Sequence, residues 1–414
     1  MAEAIHADVA VIGGGVIGLG IAHEARRLGR SVALIDPAPA TGATFAAAGM
    51  LAPVSELHYQ EEDLLGLMLE SSKLWPSFAG GLRQAVEATG YRTTPTLAVG
   101  ADAADRRALA DLRTVQLAAG LGVEPLPVRT AREREPLLSP QISCAFEIPA
   151  DHQVDPRKLA GCLMAGLAAH SPGDETWVGG ARDGFAVADS AHGLLWDGRR
   201  VAGVELGSGQ SVLAGETVVA NGLGAPALAG LPEGLELPVR PVYGDILRLR
   251  VPAHLRPLLT ATVRGMVRGV PVYIVPRDDG TVVIGATQRE DGLSATSNAV
   301  SAGGVYQLLR DAQVLVPAVA ELELLEATAR ARPGTPDNAP LLGRVAEPDG
   351  YLAGLIVATG FFRHGVLLTP VAARIVGELL TGSPDSRWSI FRPDRFSASR
   401  GQPWPMEVPA GGHQ

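Results

Sequence analysis

Asp8-Val9-Ala10-Val11-Ile12 is an unbroken apolar run that opens directly into Gly13-Gly14-Gly15-Val16-Ile17-Gly18. Such a run fits a parallel strand covered on both faces. Ile17, Ile21, Ala25 and Leu28 then recur at helical spacing, and Gly29 ends the predicted helix. Ser31-Val32-Ala33-Leu34-Ile35 reads as a second buried strand, closed by Asp36. Each part has a physical task. Gly13 permits the tight strand-to-helix turn, Gly15 lets the backbone approach a pyrophosphate, and Gly18 allows close helix–strand contact. The amides at the helix start, those of Val16 and Ile17 among them, face an anion, and Asp36 can accept hydrogen bonds from ribose hydroxyls. A lone GxGxxG is a weak signal. Here the preceding strand, the helix and an acid eighteen residues after Gly18 are all in place, which predicts a dinucleotide site on an α/β fold. Spacing alone leaves both FAD and NAD open.

Composition narrows the class. The 414 residues include 46% apolar and 19% charged residues, enough for a sizeable core and too apolar for a disordered chain. Lys plus Arg is 35 against 44 Asp plus Glu, a net charge of −9, and no basic run exceeds two residues. A surface that tracks phosphates is therefore not expected, so no nucleic-acid partner. Cys144 and Cys162 show no CxxC spacing, which argues against a disulfide scaffold and a cysteine metal site. No apolar run reaches the roughly 18 residues of a membrane helix. The start of the chain has no basic region leading into an apolar stretch. The expectation is a soluble, cytoplasmic protein without a membrane partner; a homo-oligomer stays open.

Along the rest of the chain, residues 37–53 are rich in Ala and Gly, small enough to let backbone amides approach a flat ligand. Leu64, Leu67, Met68, Leu74 and Phe78 mark an amphipathic helix, interrupted or ended near Pro76. A charged helix is predicted over 103–121. The run Ala131-Arg132-Glu133-Arg134-Glu135 reads as a solvated helix face. Residues 155–169 form another helix, with Asp155 as N-cap and Pro156 at its first position. Strands are predicted at 201–206 and 216–220, the second followed by an Asn221-Gly222 turn. Val270-Pro271-Val272-Tyr273-Ile274-Val275-Pro276 and Thr281-Val282-Val283-Ile284-Gly285 flank Asp278-Asp279-Gly280, a strong hairpin signal. The expected architecture is an α/β, Rossmann-like cofactor domain built from residues 1–90, 150–235 and 326–396. An antiparallel, β-rich substrate domain (91–149 and 236–325) is inserted into it, and 397–414 form a flexible tail.

Five ordered segments carry a resemblance over about residues 6–380. They are the Val11–Gly18 motif, Ala46-Ala47-Ala48-Gly49-Met50-Leu51, Tyr273-Ile274-Val275-Pro276-Arg277, Arg332-Pro333-Gly334-Thr335, and Gly360-Phe361-Phe362-Arg363-His364-Gly365-Val366-Leu367-Leu368. Together with Ala22 and Gly29, whose placement is similar to that of glutathione-reductase-type flavoproteins, the chain resembles the D-amino-acid-oxidase-like FAD-dependent oxidoreductases. Within them it is most similar to the glycine-oxidase branch linked to thiamine (thiazole) biosynthesis. The resemblance implies that Val16 and Ile17 meet the FAD pyrophosphate and that Asp36 and Pro37 meet the adenosine ribose. It implies that Ala43, Thr44, Ala48, Gly49 and Met50 line the flavin, and that Val187 contacts adenine. Phe361, Phe362, Arg363, His364, Gly365, Val366 and Leu367 would cradle the ring system, with a helix N-terminus near Leu367 aimed at it. Tyr273, Arg332 and Arg363 would hold a small amino-acid substrate, arginine being suited by its planar fork to a carboxylate.

The implied reaction is oxidative deamination by hydride transfer from Cα to flavin N5, giving a 2-oxo acid such as glyoxylate, ammonia and, with O2 as acceptor, H2O2. It asks the protein for substrate positioning and for no acid–base dyad or nucleophile. Both cysteines lie far in sequence from the flavin-lining motifs, so non-covalent FAD is expected. The chain departs from the family pattern at Phe361, where His is frequent, at His364 (Asn), at Phe45 (Ser) and at Tyr243 (a basic residue). These departures touch the substrate more than the cofactor. D-amino-acid or sarcosine oxidation, an NAD-dependent dehydrogenase and a non-catalytic flavoprotein subunit are the alternative readings.

Overall fold

The computed structural model describes residues 3–57, 61–82, 86–169, 185–290, 298–348 and 350–397. Its first sheet runs in the order Leu341–Gly343, Leu355–Thr359, Ser211–Val219, Ile5–Ile12, Val32–Ile35, Ala186–Val187. The pairs from Leu355–Thr359 through Ala186–Val187 are all parallel. The continuous apolar run of the first strand is explained by two cores. Val9 and Val11 pack under the helices, while Ala10 and Ile12 enter a separate cluster with Val201, Val204 and Leu228 on the opposite face. Side chains alternate across a strand, so burial on both faces demands apolar residues at every position.

The helix Val16–Arg27 follows at once. Its Ile21, Ala22 and Ala25 pack in the same cluster as Leu159 and Leu163 of Pro156–Ala168 and Val371, Ala372 and Ile375 of Gly365–Thr381. The helix Glu62–Gly80 runs straight through Pro76, which corrects the expected interruption there. A proline inside a helix removes one backbone hydrogen bond. Here the segment is fixed from outside: Ser71 Oγ and Trp75 Nε1 both donate to the Leu367 carbonyl, at 2.6 and 2.9 Å.

The second sheet has the order Glu323–Gly334, Arg240–Arg250, Thr281–Gly285, Val270–Pro276, Val263–Val267, Thr96–Gly100, Cys144–Ile148, Glu124–Leu126. Its only parallel pair, among the described residues, joins Val263–Val267 to Thr96–Gly100. Segments some 165 residues apart in sequence thus meet in one sheet. The strand Glu323–Gly334 straddles the domain boundary expected at residue 326. It pairs with Arg240–Arg250 from Arg240 opposite Gly334 to Arg250 opposite Glu323, so this sheet extends to residue 334. Val272 and Ile274 face a core shared with Leu308, Ala312 and Leu315 of the helix Ala302–Leu315. Val275 and Tyr273 face the other way, with Val283, Ile246 and Ala48. That second face roofs the cavity described next.

The run 131–135 is not wholly solvated. Glu135 is buried, and its carboxylate accepts from the Thr260 and Ala261 amides at 2.9 and 2.7 Å. A buried carboxylate needs such donors, and they come from a loop too far along the chain for a local reading to find. The expected tail beyond Ser397 lies outside the described residues. No single described helix is long and apolar enough to cross a membrane.

Candidate active site

A cavity of about 610 Å³ lies between the two sheets. At one end are Asp36 and Pro37, followed by Gly13, Gly15, Val16 and Ile17 at the start of the first helix. Ala43, Thr44, Ala48, Gly49 and Met50 form a wall, and Phe361, Phe362, Arg363, His364, Gly365, Val366, Leu367, Tyr273 and Arg332 line the rest. Two residues singled out from the sequence do not line it. Gly18 lies behind, where a Cβ would come within 1.9 Å of the Gly13 carbonyl oxygen, so its absent side chain is what lets helix and strand touch. Val187 sits in the edge strand, its carbonyl accepting from the Asp36 amide at 3.1 Å.

The phosphate end has the polarity an anion needs. The helix Val16–Arg27 begins at Gly15 with no side-chain cap and no acidic residue in its first turn. Its dipole and the amides that follow Val16 favour negative charge. Thr44 Oγ1 accepts from the Val16 amide at 3.1 Å and ties the helix start to the 43–50 wall. Asp36 accepts from the Gly14 and Ala38 amides, at 2.6 and 2.8 Å. This orients its carboxylate at the cavity edge, where remaining lone pairs can take ribose hydroxyls. The helix Gly365–Thr381 also starts at the cavity without a side-chain cap. These residues fit FAD: two uncapped helix starts, an acid at the adenosine end, and a wall of small side chains.

Arginines from distant elements hold that wall. Arg330 Nε donates to the Thr41 carbonyl (3.0 Å) and Arg157 Nε to Phe45 (2.9 Å). Arg248 Nη2 reaches Phe45 and Ala47 (3.3 and 3.4 Å), and Arg277 donates to Ala48 and Val154. In a trans peptide the N–H points opposite to the carbonyl, so the amides of Ala48 and Gly49 turn toward the cavity. Gly49 has φ +74°, and a Cβ there would lie 2.0 Å from the Val154 carbonyl oxygen. Burial draws the Arg277 guanidinium down to about 10, with Asp155 opposing. Phe45, one of the departures from the family pattern, is covered by the Arg157 guanidinium at 3.5 Å from its ring centre, a cation–π contact.

Near Arg332, burial raises the Tyr273 hydroxyl above its usual value, with Arg332 opposing; the phenol stays neutral and can donate. Arg332 lies over Gly244, where a Cβ would stand 2.3 Å from its Nη2. Among the described residues its guanidinium makes no hydrogen bond or ion pair with protein. Arg363, expected to hold substrate, is instead engaged. Its Nε donates to Glu56 at 3.0 Å, and its Nη2 to Glu61. Arg264, opposite Tyr273 in the sheet, also pairs with Glu56. Burial alone would raise the Glu56 carboxyl, but Arg264, His364 and Arg363 outweigh it and hold it at about 2. Behind Glu56, buried Asp151 accepts from the Val54 and Ser55 amides at 2.9 and 3.0 Å, and burial pushes it up to about 6.

Glu56, Glu61, Arg264 and the wall-holding Arg157 and Arg248 escape the sequence motifs. The available signal is a lone charge inside an apolar strand pattern, as in Val263-Arg264-Gly265-Met266-Val267 and Ile246-Leu247-Arg248-Leu249. Such a charge must find a partner when the strand is buried. Tyr243, another departure, does not line the cavity, and neither cysteine does.

Known proteins resemble this chain in sequence and fold. The chain is 34% identical to a glycine oxidase of Geobacillus kaustophilus, over 90% of this chain and 92% of that one. The crystal structure of glycine oxidase from that organism superposes with a TM-score of 0.80, at 30% identity, covering 95% of this chain and all of the other. An iminodiacetate oxidase from Chelativorans sp. gives a TM-score of 0.78 at 26% identity, with 93% and 98% covered. A bifunctional ThiO/ThiG protein of Trichormus variabilis is 32% identical over 94% of this chain. The chain spans only 55% of that relative's length. The family model described as FAD dependent oxidoreductase matches residues 8–379, the span that carries both helix starts, the small-residue wall and the arginine-lined end of the cavity, and the chain therefore belongs to the DAO family of FAD dependent oxidoreductases.

Proposed function

We propose that this protein oxidises the amine of glycine, or of another small amino acid with one carboxylate, by the overall reaction amino acid + O2 + H2O to 2-oxo acid, ammonia and H2O2. The observation that carries this reading is Arg332, a cavity guanidinium with no protein partner among the described residues, beside the neutral Tyr273 hydroxyl. A carboxylate is the complement of such a fork. Bound FAD, held non-covalently by the glycine-rich turn, Asp36 and the 43–50 wall, supplies the two-electron acceptor.

The protein's own part is positioning. Arg332 and Tyr273 fix the carboxylate, which sets Cα against the facing wall. Met50, Ile246 and Phe361 make the surroundings apolar and favour a neutral amine. Similarity to a ThiO/ThiG protein supports a place in thiamine biosynthesis, where the oxidised glycine would feed thiazole formation. Sarcosine and D-alanine are the competing substrates, because Phe361 and His364 depart from the pattern of the glycine-oxidase branch.

The test is a panel of glycine, sarcosine, D-alanine, D-proline and L-alanine with the FAD-loaded protein, scoring oxygen uptake and the released 2-oxo acid. Glyoxylate from glycine or sarcosine at the highest kcat/KM supports the proposal. Turnover confined to bulky D-amino acids would move the chain to another branch.

A further inference from the structure

We infer that the Glu56–Arg264 ion pair masks a second anion subsite in the cavity and so restricts the protein to substrates with a single carboxylate. This rests on the reading of Arg332 as the carboxylate anchor and adds what the neighbouring charges do.

Four arginines line the cavity. Arg330 belongs to the cofactor wall through Thr41. The other three, Arg264, Arg332 and Arg363, lie at the substrate end. Arg264 and Arg363 are both bound to Glu56, and Arg363 also to Glu61. Asp151 adds a third carboxyl one layer behind, on the amides that precede Glu56. Three guanidinium groups thus face at least two carboxylates, a guanidinium surplus of at most one, with His364 also acting on Glu56. One substrate carboxylate at Arg332 consumes that surplus.

A second substrate carboxylate would be drawn to Arg264. Arg264 stands opposite Tyr273 on the adjacent strand, and Tyr273 feels both Arg332 and Arg264. The Arg264 and Glu56 side chains retain 19% and 14% exposure, so the pair borders the cavity instead of lying sealed beneath it. A second carboxylate there would meet a guanidinium already occupied and the Glu56 anion beside it. Like charges in a site of low dielectric repel strongly. Glu56→Gln keeps the shape of the side chain and one carbonyl acceptor but removes that anion. Arg264 then loses its direct partner in the cavity and keeps only Asp151 behind it, while Glu61 still holds Arg363.

The experiment uses the FAD-loaded protein at pH 8.5. Acetate, malonate and succinate, which cannot be oxidised here, are titrated by the change they cause in the flavin absorption bands and by calorimetry. The wild-type protein should bind acetate at least tenfold more tightly than either dicarboxylate. In Glu56→Gln the preference should shift by at least tenfold toward malonate or succinate. Adding Arg264→Gln to that variant should abolish the shift. The same shift should appear in KM for iminodiacetate relative to glycine.

Wild-type protein that binds malonate or succinate as tightly as acetate overturns the inference, whatever the variants do. So does a Glu56→Gln protein with an unchanged ratio. If wild-type protein binds none of the three but Glu56→Gln binds a dicarboxylate, the mask stands and the Arg332 anchor falls. Binding of none by either protein overturns both.

Discussion

At the scale of single residues the site is decided by which arginines are already paired. Arg332 and Arg363 look alike in the sequence, each beside a motif of small or aromatic residues. In the structure Arg363 is spent on Glu56 and Glu61, whereas Arg332 is available. Arg332→Ala removes a charge-assisted pair, worth about 1.5–3 kcal/mol. KM for the amino acid should rise at least tenfold while the flavin spectrum of the purified variant is retained. Unchanged KM would show that the carboxylate is held elsewhere. Asp151 gives a second prediction. Its carboxyl is raised from 3.8 to about 6 by burial, so between those pH values the folded state binds more protons than the unfolded. Its contribution to stability is therefore fullest below about pH 4 and is lost as pH rises through about 6, by about 3 kcal/mol at 1.36 kcal/mol per unit. Urea unfolding of wild type and Asp151→Asn at pH 4.5 and 6.5 should show about 2 kcal/mol of that fall in wild type and its loss in the variant.

At the scale of elements, the first βαβ unit was readable because each of its parts is local. Strand, glycine turn, helix and acid follow one another within 36 residues, and each has its own physical signature. Asp155 was readable for the same reason. Its side chain accepts from the Arg157 and Lys158 amides at 2.9 and 3.3 Å, with Pro156 at the first helical position. Asp155→Ala should cost about 0.5–2 kcal/mol of unfolding free energy. It should also weaken FAD retention, because this helix start carries Arg157 onto the Phe45 carbonyl and faces Arg277. Thermal unfolding with and without added FAD separates the two effects. A variant with wild-type stability in both states would mean that the cap is idle. Pro76 was misread because the contacts that sustain its helix come from Leu367, almost 300 residues away. Glu56 and Arg264 were missed on the same ground, being 208 positions apart. Pairings of that range leave no periodicity, only an isolated charge within an apolar strand.

At the scale of the whole molecule, two sheets divide the work. One presents the glycine turn and the uncapped helix starts at its strand ends, and the other lowers Tyr273 and Arg332 onto the same cavity. The strand Glu323–Gly334 joins them, since it carries Arg330 toward the cofactor wall and Arg332 toward the substrate end. Residues 330–333 of this single edge strand all line the cavity, so displacement of either sheet would disturb it. The central claim is that this shared cavity places a small amino acid against bound FAD. It is tested most directly by adding glycine, under strict exclusion of oxygen, to the FAD-loaded protein while recording its visible spectrum. The yellow absorption should bleach as glycine is added and return when air is admitted. A spectrum unmoved by glycine, sarcosine and small D-amino acids alike would contradict it.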